Sequence, residues 1–139
     1  KSKTKAKKMN KISFFILLTL LYFGCSGKDT GSIYGDPQMK NISAEMFTLG
    51  KKVYSRSCFT CHTYGLSGAA KLVDFDYWNR AADKGMDTIF THVKEGYNGN
   101  RGIMPPKGNC FNCSDEELRA SILYIFQKIN SNKDGTKYL

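Results

Sequence analysis

Proline is scarce, histidine scarcer still, and no apolar run reaches the length of a bilayer. Proline occurs only as Pro37, Pro105 and Pro106, tryptophan only as Trp78, and histidine only as His62 and His92. The longest apolar run, Ile12 to Gly24, has 13 residues; a membrane-spanning helix needs about 20. Acidic residues are missing from the first part of the chain, where none precedes Asp29. The formal charge of +9 is therefore uneven: six of the 21 basic residues precede the apolar run, and the remaining 15 face 12 acids, a balance of +3. A mildly basic domain does not carry the concentrated stripe of charge that nucleic-acid binding requires, so no nucleic-acid partner is expected. No internal repeat is present, and 139 residues leave room for one small domain.

What is present begins with a leader. A basic cluster ahead of a short apolar run has the layout of a secretory signal peptide over residues 1–24, with Met9 a candidate start. Cys25 follows it at the position where an exported lipoprotein is cleaved and acylated, and it is the odd cysteine among five. Lipidation at Cys25 is expected, with an unpaired thiol as the alternative. Residues 25–43 are rich in Gly, Ser, Asp and Asn and read as a flexible linker, with Met39 inside it.

The following pattern is helical. A first helix is expected after Ser43 as N-cap, carrying Met46, Phe47, Val53 and Tyr54 at near-helical spacing. A loop over 64–72, a short helix over 74–83 with Trp78, and a helix over 86–95 come next. Gly and Asn dominate 96–108, which reads as loop. Ser114 and Glu117 form a capping box for the last helix, whose stripe is Leu118, Ile122, Ile125, Phe126 and Ile129. Asn130 onward is polar, and 134–139 is expected to be tail. The fold class is all-α, without convincing strands.

Cys58-Phe59-Thr60-Cys61-His62 is the stretch that carries chemistry. C-x-x-C-H is the attachment motif of c-type haem: two thiols one helical turn apart form thioethers with the vinyl groups, and the next residue offers an imidazole to the iron. A redox dithiol or half a zinc site explains the cysteines but leaves His62 without a task. A sixth iron ligand is then needed. Met104 lies 42 residues beyond His62, before Pro105 and Pro106, which stiffen the backbone and deny it helix. Met46 and Met86 sit at core spacing, and His92 is expected to be a surface or partly packed residue. Cys110 and Cys113 form a second C-x-x-C. The 48 residues between the pairs exceed zinc-ribbon spacing, so in an oxidising compartment a structural disulfide is expected. A redox-active dithiol remains the rival, since a helix N-terminus can lower a thiol pKa.

These pieces together resemble class I bacterial c-type cytochromes of the short, disulfide-bearing "c-five" type. The resemblance rests on Gly50 and Tyr54, Cys58 to His62, Gly85-Met86-Asp87-Thr88, Met104 to Gly108, the Cys110/Cys113 pair and Tyr124. It implies a small helical bundle around one covalent haem, a monohaem domain over 44–133. It also implies a first and a last helix crossing near Gly50, Tyr54 and Tyr124. Ala70 stands where such proteins often carry a proline whose carbonyl receives the proximal His N–H. Trp78-Asn79-Arg80 is one residue shorter than their usual Trp-x-x-Arg, which leaves Trp78 as a haem-contact candidate. The function implied is outer-sphere transfer of single electrons in the periplasm or at a membrane surface, with no independent catalysis. Its partners would be donor and acceptor redox proteins. Alternatives are a fixed subunit of a membrane respiratory or photosynthetic complex, and a haem-based ligand sensor.

Overall fold

The computed structural model describes residues 31–134. The expected signal peptide, Cys25 and residues 135–139 lie outside the described residues. The described residues form six α-helices and one small hairpin. They are α1 (Pro37–Lys40), α2 (Ala44–Val53), α3 (Phe59–Tyr64), α4 (Phe75–Ala82), α5 (Gly85–Glu95), strands β1 (Tyr97–Gly99) and β2 (Gly102–Met104), and α6 (Asp115–Lys133).

The caps fall where the sequence places them. The Met46 N–H donates to Ser43 Oγ at the start of α2 (3.2 Å). Ser114 and Glu117 cap each other reciprocally at the start of α6 (2.9 and 3.2 Å). All five members of the expected α6 stripe are buried. They face α2 on one side and Trp78 of α4 on another, with the Trp78 and Phe126 rings edge to face at 5.6 Å.

The crossing of α2 over α6 is unusually close. A Cβ added at Gly50 would lie 2.8 Å from Tyr124 Cβ and closer still to the Ala120 carbonyl. Only glycine lets the two backbones meet there. Tyr124 then packs against Tyr54 (5.2 Å) and Phe47 (5.1 Å).

Three expectations need correction. The flexible linker over 25–43 fails in its second half: Ile33 is 0% and Met39 7% exposed. A single 3₁₀ turn (Ile33–Gly35) and α1, capped by Asp36, lay these apolar side chains on the core, and Tyr34 meets Phe126 edge to face at 5.8 Å. Polar composition hid two well-spaced anchors. The stretch 96–108 is not all loop, because β1 and β2 pair antiparallel with Tyr97 opposite Met104. Strands of three residues are too short for alternation to show. Finally, α6 runs to Lys133 rather than fraying at Asn130, because Ile129 and Ser131 are both buried.

Two substitutions test this packing. Ile33→Ala should lower the unfolding free energy of the holoprotein by about 2–5 kcal/mol, read from denaturant midpoints; a free linker would give no change. Gly50→Ala should cost at least about 1–3 kcal/mol through overpacking, measured the same way.

Candidate haem-binding site

The motif is presented by a change of helical pitch. Between α2 and α3 the chain widens into a π-type turn, Tyr54–Cys58, in which the Phe59 N–H donates to Tyr54 O. Such turns displace the register of a helix and recur at functional sites. Here the turn buries Cys58 against α6, while Cys61 and His62, on α3, are half-buried. Burial, reinforced by the neighbouring Cys61, pushes the Cys58 thiol up to about 11. Both Cys58 and Cys61 are free thiols.

His62 is oriented by the loop that follows it. Its Nδ1 lies 2.9 Å from the Ala70 carbonyl oxygen. A carbonyl only accepts, so Nδ1 carries the proton and Nε2 is left with its lone pair. Burial holds the imidazole pKa below its ordinary value, against the opposing pull of the Ala70 carbonyl. The ring is therefore neutral and able to ligate at neutral pH. The Ala70 carbonyl thus fixes the imidazole, and the rest of the loop holds that carbonyl in place. The Trp78 Nε1–H donates to the Lys71 carbonyl (2.7 Å) and the Leu72 N–H to the His62 carbonyl (3.0 Å). Asp74 receives the Lys71 N–H (3.0 Å) and the Arg101 guanidinium (2.7 Å). Trp78 is also a direct neighbour of the imidazole, with ring centroids 5.5 Å apart.

His62 and Met104 line the same cleft. It has a volume of about 380 Å³ and adjoins a second of about 230 Å³, and the two share Cys58, His62, Tyr77, Tyr97, Arg101 and Met104. Its walls include Ile89, Val93, Ile122, Ile125 and Phe126, and its charged lining is wholly basic, from Arg80, Lys84 and Arg101. Met104 reaches the cleft from the end of β2. Met86 is buried in the core, Met46 packs against it, and Met39 belongs to the strap that residues 31–43 lay on the core, so none of these competes. His92 lines the cleft too, stacked on Tyr97 at 4.2 Å.

This lining suits a haem: an apolar slot for the ring, two thiols for its vinyl groups, an imidazole lone pair for its iron, and bases for its carboxylates. Among the described residues no cluster of three or more His, Cys, Asp or Glu could hold a bare metal ion. Cys110 and Cys113 are joined as a disulfide away from this cleft.

Two groups of residues escape a reading of the sequence. Tyr77 and Tyr97 line the cleft from α4 and β1, and no motif marks them. Arg56 donates from Nη2 to both sulfurs of the disulfide, at 3.0 Å to Cys110 Sγ and 2.9 Å to Cys113 Sγ. A contact across more than fifty residues leaves no trace in local spacing.

Comparison with known proteins agrees with this arrangement. A family model described as "Cytochrome C oxidase, cbb3-type, subunit III" matches residues 45–125. Cytochrome c-555 of Chlorobaculum tepidum is 36% identical over 76 residues, 55% of this chain and 70% of that protein. Cytochrome c5 of Azotobacter vinelandii is 40% identical over 75 residues, 52% of this chain and 86% of that one. Among solved structures, a chain from "Crystal structure of electron transfer complex of nitrite reductase with cytochrome c" superposes with a TM-score of 0.51 at 31% identity. The match covers 58% of this chain and 94% of that one. The chain belongs to the class I c-type cytochromes, electron carriers that hold one haem c covalently.

Proposed function

We propose that this protein carries single electrons through a haem c attached at Cys58 and Cys61 and ligated by His62 and Met104. The observation that carries this is one cleft lined by both side chains, with His62 already fixed in the Nδ1–H tautomer. Bound there, the haem supplies a one-electron iron couple. Ala70 keeps the imidazole turned toward the ring, and Trp78 keeps the loop of Ala70 in place. The apolar walls exclude water, so little solvent must reorganise when charge changes. Met104 adds a soft thioether, which favours the reduced state and raises the potential.

Location follows from the leader. The Cys25 thiol, acylated after export, would hold the domain at a membrane, with several acyl chains needed for stable residence. No helix among the described residues is long and apolar enough to cross a membrane. Because the strap is packed from Ile33, seven residues, and so eight Cα–Cα steps, separate Cys25 from the core. Fully extended, they reach about 29 Å, so the domain would stay close to the surface. A second reading, a fixed subunit of a membrane complex, is favoured by the description of the family model as an oxidase subunit. Stoichiometric co-purification with other chains from native membranes would select it over a free carrier.

Met104→Ala should leave the haem attached, because the thioethers do not involve it. The reduction potential should fall and the ferrous protein should take up carbon monoxide, which the wild type excludes. Prompt carbon monoxide binding by folded wild type at neutral pH would refute Met104 ligation. Cys25→Ser should release soluble haem protein to the periplasm, and an unlipidated wild-type mass would end the anchor proposal.

A further inference from the structure

The segment after Met104 is held in an unfavourable conformation by contacts from outside it. Lys107, Gly108 and Asn109 have φ of +55°, +57° and +65° in succession. Left-handed backbone at non-glycine residues persists only where surrounding structure enforces it. One end of this segment is the β1–β2 hairpin. The other end is the Cys110–Cys113 disulfide, to which the segment is tied again through Lys107. The Lys107 ammonium donates to the Cys113 carbonyl (2.9 Å) and, more weakly, to the Phe111 carbonyl (3.4 Å).

The disulfide in turn is gripped from the opposite side of the site. Arg56 lies in the π-type turn, two residues before Cys58. Its Nη2 touches both sulfurs, and the same nitrogen lies 3.9 Å from Glu117 Oε1, the capping residue of α6. One nitrogen suffices for this because it carries two protons and the two sulfurs are bonded neighbours. Both cysteines are buried, at 6% and 2% exposure, and the half-exposed Arg56 side chain covers them from the solvent side. The chain of contacts therefore runs from the turn carrying Cys58, through Arg56 and the disulfide, to Lys107 and the loop that begins at Met104.

We infer that Arg56 is a positioning residue for Met104, acting through the Cys110–Cys113 disulfide to hold the strained loop closed over the cleft. This rests on the reading of Met104 as the sixth ligand. Without the grip of Arg56, the loop can relax toward ordinary backbone angles, and Met104 leaves the cleft more often. The disulfide then has a function beyond stability, because it transmits the position of one side of the site to the other.

The test uses holoprotein and two readouts: carbon monoxide association with the ferrous form, and the near-infrared sulfur-to-iron band of the ferric form. Arg56→Gln should bind carbon monoxide at least about tenfold faster than wild type, because binding scales with the population of the open state. Its near-infrared band should weaken in parallel. The Cys110→Ser/Cys113→Ser double variant should behave alike, and Arg56→Gln added to it should have little further effect, the signature of residues acting in one chain. Ser43→Ala, which removes a helix cap remote from the cleft, serves as a control that loses stability only. If Arg56→Gln matches that control while wild type excludes carbon monoxide, the inference is wrong and the Met104 reading stands. If wild type itself binds carbon monoxide promptly, both fall. Should Arg56→Gln not accumulate with haem, Arg56→Met, which keeps an unbranched stem and removes every donor, is judged by the same criteria.

Discussion

Everything at the site hangs from the contact of two backbones at Gly50 and Ala120. Where α2 lies this close to α6, the π-type turn that follows must pass directly over α6, and Cys58 is buried beside Ser121. The next helix, α3, then carries His62 into the cleft whose floor α6 supplies through Ile122, Ile125 and Phe126, and Cys61 into the smaller cleft beside it. A side chain at position 50 would separate the helices and move the motif away from that floor. A glycine with ordinary helical angles is thus required by proximity and not by conformation.

The site itself is built by division of labour. The π-type turn and α3 present the attachment residues. The loop 66–74 and Trp78 orient the imidazole through backbone carbonyls, which cost the protein no charged group. The β hairpin and the left-handed turn after it bring Met104 from across the chain. His62, Met104 and the apolar walls of the cleft they line belong to different elements. That makes the links between elements as consequential as the ligands, and Arg56 with the disulfide is the most direct of these links.

The packed strap over residues 31–43 changes where the folded domain begins. Composition makes residues 25–43 look like spacer, yet Ile33 and Met39 use the turn and α1 to reach the core, and Tyr34 meets Phe126. The buried Ile33 and Met39 are joined by Tyr34 and Ile42, which pack against the same core, and Asp36 and Ser43 satisfy backbone N–H groups at the helix starts.

Local chemistry was legible in the sequence by itself. The C-x-x-C-H spacing names the cofactor, because thioether geometry and an adjacent imidazole allow few substitutes. Ser43, Ser114 and Glu117 mark helix ends, since capping is decided within four residues, and the α6 stripe follows from helical period alone. Met104 stood out because prolines beside it rule out a core helix. What only the tertiary structure decided are relations across distance: the Ala70 carbonyl serving where a proline was expected, Tyr97 pairing with Met104 in three-residue strands, Ile33 buried from a polar segment, and Arg56 seated on two sulfurs more than fifty residues away. Each depends on which surfaces meet once α2 has crossed α6, and periodicity and spacing hold no record of that meeting.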